Sequence, residues 1–210
     1  MDVDRCDGVA QDCDGAELRV PDDHATIQDA VDAATRDDRV CVGPGTWGYF
    51  RLDGKDLHVI GIDGPEVTVL DGEGSGPVLQ VGDGETRDAI IEGFTMTNGD
   101  WDEGGAVDIF ESSPTLRNLI VRGNVGRTGG GIGSRGGDPL LEDIIFEDNV
   151  GTSRAGGLHV DGGTVELSNV WFKDNDGGYG GGAYIRASDA SLDNVRIEGN
   201  LGSVGGGLYL

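Results

Sequence analysis

Leu116-Arg117-Asn118-Leu119-Ile120-Val121-Arg122-Gly123-Asn124, followed after a short loop by Gly129-Gly130-Gly131-Ile132, is a phrase that this chain repeats. The next copy is Leu141-Glu142-Asp143-Ile144-Ile145-Phe146-Glu147-Asp148-Asn149 with Gly156-Gly157-Leu158. Then come Leu167-Ser168-Asn169-Val170-Trp171-Phe172-Lys173-Asp174-Asn175 with Gly180-Gly181-Gly182-Ala183, and Leu192-Asp193-Asn194-Val195-Arg196-Ile197-Glu198-Gly199-Asn200 with Gly205-Gly206-Gly207-Leu208. A looser copy, Ile91-Glu92-Gly93-Phe94-Thr95-Met96 with Gly104-Gly105-Ala106, precedes them. Ile91, Leu116, Leu141, Leu167 and Leu192 step by 25, 25, 26 and 25 residues. The glycines at 105, 131, 157, 182 and 207 step by 26, 26, 25 and 25. A fixed period of this size marks a solenoid, whose units bury their apolar faces only against their neighbours. Within a unit the apolar residues alternate (Leu119-x-Val121, Ile144-x-Phe146, Val170-x-Phe172), which is the period of a strand. Each unit also carries three turn signals. They are the Asn or Asp at 118, 143, 169 and 194, the Asn-to-Gly-Gly loop, and a Gly/Ser/Asp/Pro patch such as Ser134 to Pro139. Three short strands and three turns per repeat predict an all-β chain wound as a parallel β-helix of about 25 residues per coil.

Composition agrees with a thin core. Hydrophobic residues make up only 36% of the 210, and the 40 glycines fall at fixed places in the repeat, as turns would. The net charge of −24 argues against nucleic acid, whose phosphates need a basic face. It leaves a salt-adapted surface, a surface that collects divalent cations, or simple solubility. Glycine and aspartate interrupt every apolar stretch, so no run is long enough to span a bilayer. Met1-Asp2-Val3-Asp4 lacks the basic and apolar regions of a signal peptide, and Leu210 falls midway through a repeat. Both features suggest an excised, C-terminally truncated piece with an open coil edge.

Residues 1–17 form an acidic segment distinct from the solenoid at 18–210. Cys6 and Cys13 predict a local disulfide and with it an oxidising compartment. Asp2, Asp4, Asp7, Asp12 and Asp14 alternate in a way that can set hard oxygens around Ca²⁺; a plain acidic linker is the alternative. Asp4-Arg5-Cys6-Asp7-Gly8 and Asp12-Cys13-Asp14-Gly15 resemble the Cys-Asp-Gly repeats between domains of secreted bacterial surface proteins, a resemblance that implies metal binding.

Beyond it, Ile27, Ala30, Val31 and Ala34 make the stripe of a short amphipathic helix suited to plugging the first coil. Arg39-Val40-Cys41-Val42 reads as a strand in which Cys41 is a small packed side chain, and Gly43-Pro44-Gly45-Thr46-Trp47 as a tight turn. Thr26-Ile27-Gln28 with Ala30-Val31 and Ala33, then Val40-Cys41-Val42 and Pro44-Gly45-Thr46-Trp47, resemble the opening of pectin-lyase-like right-handed β-helices. The Gly-Gly elements paired with Phe146-Glu147-Asp148-Asn149 and Phe172-Lys173-Asp174-Asn175 are similar to the repeats of chlamydial polymorphic outer-membrane proteins. These resemblances cover residues 18–210 and imply right-handed winding behind an N-terminal capping helix. They imply an asparagine ladder in the column Gly93, Asn118, Asp143, Asn169, Asn194. They also place a carbohydrate groove on the sheet after the Gly-Gly element. The superfamily mixes lyases, hydrolases, esterases, adhesins and structural spikes, so fold alone does not choose among them.

On that sheet, alternation from an inward Ala106, Ile132, Leu158, Ala183 and Leu208 sends Val107, Gly133, His159, Tyr184 and Tyr209 outward. Two places on, Ile109, Arg135, Asp161 and Arg186 also face outward, the charged three alternating in sign. The adjoining loops carry Trp101 and Tyr179, which could lie on sugar faces, and Asp100, Asp102 and Glu103, which could bind Ca²⁺ bridging to a uronate. The bland alternative is ordinary cross-strand ion pairs and packing aromatics.

Catalytic elements of the resembled families are missing. Neither Trp-Ile-Asp-His nor Arg-x-Pro-x-x-Arg of pectate lyases occurs. The same holds for Asn-Thr-Asp, Gly-His-Gly and Arg-Ile-Lys of the hydrolases, and for Gln-Asp-Thr and Asp-Phe-Ile-Phe-Gly of the methylesterases. His24, His58 and His159 are too dispersed to suggest zinc. The leading expectation is an extracellular or cell-surface bacterial module for binding, adhesion or display. Its expected partner is a polysaccharide or cell-surface glycan, with Ca²⁺ as the expected cofactor. The alternative is a polyuronate lyase with Arg135 or Arg186 as base beside Asp161 and Ca²⁺ in the acidic loop; a structural stalk is a third.

Overall fold

The computed structural model describes residues 16–210; Cys6, Cys13 and the aspartates from Asp2 to Asp14 lie outside the described residues. The chain is a parallel β-solenoid of about eight coils spaced about 25 residues apart. Sheet A runs through eight strands in order, Glu17–Val20, Arg39–Val42, His58–Gly61, Ile90–Thr97, Thr115–Arg122, Leu140–Glu147, Thr164–Ser168 and Asp189–Asp193. Sheet B stacks Phe50–Arg51, Leu79–Val81, Val107–Phe110, Ile132–Arg135, Leu158–Asp161, Ala183–Arg186 and Leu208–Tyr209. Sheet C is a column of two-residue strands from Asp100–Trp101 to Leu201–Gly202.

The register follows the repeat. Ile91, Leu116, Leu141, Leu167 and Leu192 pair in succession, so each leucine stacks on its counterpart. The same stacking joins Met96, Val121, Phe146 and Phe172 in the core, where the two phenylalanine rings lie 4.8 Å apart at 13°. Glycine faces them because nothing larger fits: a Cβ on Gly157 would stand 2.6 Å from the Gly182 carbonyl oxygen and 2.8 Å from Phe172 Cδ1. At the last coil the inward columns end on Leu192 and Ile197, 39% and 40% exposed.

At the other end the helix Ile27–Ala33 closes the stack, burying Ile27, Ala30, Val31 and the flanking Ala34. Thr26 caps its start, its hydroxyl oxygen accepting from Asp29 N–H at 3.0 Å. Its last turn holds no basic residue, and Lys55 from the following coil donates instead to the Val31, Asp32 and Ala34 carbonyls at 2.7–3.2 Å. Cys41 is packed in the core as expected, 2% exposed, and is in addition disulfide-bonded.

Two asparagine columns run along the solenoid, the exposed one that the resemblance implies and a second, buried one. Asn118, Asp143, Asn169 and Asn194 sit at φ of 49–56° and bend the sheet A strands, but they are exposed. Their side chains bond along the axis from Asn194 to Asn169 and from Asn169 to Asp143. The buried ladder is Asn124, Asn149, Asn175 and, partly exposed, Asn200, at the turn into sheet C. Each amide Nδ2 donates to the next Oδ1 at 2.9 Å. It also donates to a carbonyl of the coil before, on Met96, Val121 and Phe146, at 2.8–3.0 Å. A side chain carrying both donor and acceptor at the same height in every coil can satisfy a buried turn without water.

Candidate functional site

The outward face of sheet B gathers most of the side chains with binding chemistry. Its pairing places Arg51, Gln80, Asp108, Gly133, His159, Tyr184 and Tyr209 in one column. A second column holds Phe110, Arg135, Asp161 and Arg186. Val107 and Ile109, expected outward, are fully buried, and Asp108 and Phe110 take the outward places. The bridge Gly104 to Gly129 explains the one-residue offset: Ala106 occupies the place of the third glycine, Gly131. Gly131 faces Phe146 from the next coil, with Phe146 Cδ1 3.0 Å from where a Cβ would stand; one coil earlier that core column carries the smaller Val121.

Toward the C-terminal end, His159, Tyr184 and Tyr209 stack with centroid separations of 5.6 and 4.9 Å. Tyr179 stands edge-on to both tyrosines at 5.9 and 6.0 Å. His159 is only 1% exposed, covered rather than presented. Its Nε2 accepts from Arg154 Nη1 at 2.8 Å, which leaves the proton on Nδ1, where it finds no partner. Burial first, and then the Arg154 charge, push the imidazole down to a pKa of about 4, so it is neutral at physiological pH. Beside it Asp161 holds Arg186 through both carboxylate oxygens and lies 3.7 Å from Arg154. The bond from Arg186 lowers the Asp161 pKa, and the same bond raises that of the guanidinium. Arg135 turns away from this cluster. It lies over the Phe110 ring at 5.1 Å and points its Nε toward Glu103 at 3.6 Å.

Toward the N-terminal end is a second cluster, of which the sequence reading names only Trp101. Trp101 lies in sheet C, three coils from the level of Tyr179 and so roughly 14 Å along the axis. Its indole donates to Asp108 Oδ2 at 3.0 Å, while Tyr49 Oη donates to Gln80 Oε1 at 2.7 Å. Burial raises the pKa of both Asp108 and Tyr49. Arg51, Gln80, Val81, Gly82, Asp83, Asp108 and Phe110 line a pocket of about 160 Å³. The strand alternation itself presents Asp108 and Phe110 outward once Gly104 is set level with Gly129, Ala155, Gly180 and Gly205.

The acidic loop does not assemble into a cage. Glu103 accepts from Thr128 Oγ1 at 3.2 Å and faces Arg127 and Arg135, Asp102 is 78% exposed, and Asp100 is an exposed residue of a sheet C strand. Among the described residues no three His, Cys, Asp or Glu side chains come close enough to hold a metal ion. No helix among them is long and apolar enough to cross a membrane. Comparison with models of known families, with curated proteins and with solved structures finds no match to this chain.

Proposed function

We propose that this chain is a non-catalytic binding module of the pectin-lyase-like kind, displayed outside the cell, whose sheet B face engages a polysaccharide or cell-surface glycan. The observation that carries this reading is the line of half-exposed rings on one rigid face, Tyr179, Tyr184 and Tyr209 at one end and Tyr49, Trp101 and Phe110 at the other. Aromatic faces set on strands offer sugars flat apolar contact at little entropic cost. The disulfide at Cys41 supports an oxidising compartment. Binding is favoured over elimination because Asp161 holds Arg186 through both carboxylate oxygens and raises its pKa, and an arginine kept protonated in this way is a poor base for a sugar C–H. Calcium is proposed only for the N-terminal aspartates, since Glu103 is taken up by arginine and threonine and no three His, Cys, Asp or Glu side chains among the described residues come close enough to hold a metal ion.

The test is an array of neutral and acidic glycans probed with the full chain, with Ca²⁺ and with a chelator, alongside ultraviolet absorbance for unsaturated products. Binding without absorbance change is expected, weakened about tenfold by Tyr184→Ala. Absorbance that rises on a polyuronate and vanishes in Arg135→Ala or Arg186→Ala would replace this reading with a lyase.

A further inference from the structure

Arg51, Gln80 and Asp108 pair in register across three coils, so three different polar heads project from one column at a spacing of about 4.8 Å. Tyr49 and Trp101 flank them and are fixed by the bonds to Gln80 and Asp108; Phe110 closes the third side beneath the Arg135 guanidinium. Both bonds tie an aromatic ring to a polar group, so rings and polar heads are pre-positioned together, which lowers the ordering cost of binding. Gln80 receives the tyrosine proton on its oxygen and so keeps its Nε2 hydrogens as donors. Asp108 Oδ1 is shielded from solvent and has no donor in bonding geometry. The pocket of about 160 Å³ is well below the roughly 300–1,000 Å³ that drug-sized ligands occupy, and is of the order of one sugar ring.

We infer that this pocket is a subsite for a single neutral pyranose, its hydroxyls held by Gln80, Asp108 and Arg51 and its C–H face set against Phe110, while Tyr49 and Trp101, outside the pocket lining, hold Gln80 and Asp108 in place. The inference rests on the glycan-binding reading and adds the ligand class at one end of the face. Neutrality follows from charge: Arg51 is already bound to Asp53 at 2.6 Å, and Asp83 and Asp108 complete the wall. A uronate carboxylate would therefore meet more negative than positive groups there.

The experiment follows the Trp101 indole N–H resonance of the full chain during titration with methyl glycosides of glucose, galactose and mannose, and with the matching methyl uronides. At least one neutral glycoside is expected to shift it saturably with Kd of about millimolar order, and the uronides about tenfold more weakly or not at all. Asp108→Asn and Phe110→Ala should each weaken the neutral ligand about tenfold, and Arg196→Ala on sheet A should leave it unchanged. Circular dichroism checks that each variant is folded. No shift with any neutral glycoside at about a hundred times millimolar concentration, equal binding of uronides, or folded variants within about twofold of the parent would each overturn the inference. If longer glycans still bind in a way that Tyr184→Ala weakens, the pocket alone is refuted and the binding face stands. If no glycan of any length binds, both readings fall.

Discussion

Asn149→Ala should be among the most costly single changes in this solenoid. The Asn149 side chain is fully buried. Its Oδ1 accepts from the Asn124 backbone N–H at 3.1 Å and from Asn124 Nδ2 at 2.9 Å. Its Nδ2 donates to the Val121 carbonyl at 2.8 Å and to Asn175 Oδ1 at 2.9 Å. Truncation removes all four bonds. Asn175 Oδ1 keeps the Asn149 N–H at 3.1 Å and Asn124 Nδ2 keeps the Met96 and Arg122 carbonyls, but the Asn124 N–H and the Val121 carbonyl lose these partners out of reach of water. Two such groups at about 1–3 kcal/mol each give about 2–6 kcal/mol, and because a carbonyl keeps a second lone pair the lower half of that range applies, about 3 kcal/mol. Asn200 is the internal control. It makes the same bonds to Asn175 and donates to Phe172 and Glu198, yet it is partly exposed, so water can replace the lost partners. Asn200→Ala should cost about 1 kcal/mol. Urea unfolding followed by far-ultraviolet circular dichroism measures both, comparing midpoints at constant slope. Equal losses in the two variants, within about 1 kcal/mol, would refute the claim that burial gives the ladder its weight. Asn149→Asp sharpens the test. It keeps the acceptor but turns a second oxygen toward the Val121 and Asn175 oxygens, so it should be worse than alanine near neutral pH and recover in acid as the carboxyl gains a proton.

Further outcomes follow from other parts of the fold. Burial opposes ionisation of Glu92, but bonds from His58 and Arg117 outweigh it and lower its pKa from 4.5 to about 2. The stabilisation is present above the unfolded value and lost as pH falls toward the folded one. Glu92→Gln should therefore cost about 2–3 kcal/mol at pH near 7 and almost nothing below about pH 2, read from urea midpoints across pH. For His159 the folded pKa is depressed from 6.5 to about 4, so stability is greatest above the unfolded value and declines as pH drops between the two. That decline should total about 2–3 kcal/mol and disappear from the pH profile of His159→Phe. Gly157→Ala places a methyl against the Gly182 carbonyl and the Phe172 ring and should destabilise by about 1–3 kcal/mol, whereas Gly76→Ala, with nothing within 4 Å of its Cβ, should stay within about 0.5 kcal/mol of the parent in thermal unfolding.

Much of the solenoid was legible in the chain. A period of 25 or 26 residues, strand alternation and glycine at recurring places are local properties, and each coil meets only copies of itself. Leu116 had to stack on Leu141, and Val121 on Phe146, because any other register would place polar positions in the core. The helix Ile27–Ala33 was equally readable, since its apolar stripe has nowhere to go but onto the open first coil.

Tertiary structure decided what depends on a single offset or on curvature. Placing Ala106 with Leu158 rather than with Gly131 reverses inside and outside for the whole strand Val107–Phe110, and that one step hid Asp108 and Phe110. Both asparagine columns recur with the same period, so spacing could not separate the exposed bend at Asn118 from the buried ladder at Asn124; only the path of the turn into sheet C brings one amide inside. His159 follows the outward alternation faithfully and is buried nonetheless, because Arg154 from the preceding loop covers it. Alternation determines which side of a strand a residue occupies. What covers that side is contributed by the side chains of adjoining loops, such as Arg154, which vary from copy to copy and which a repeat does not encode.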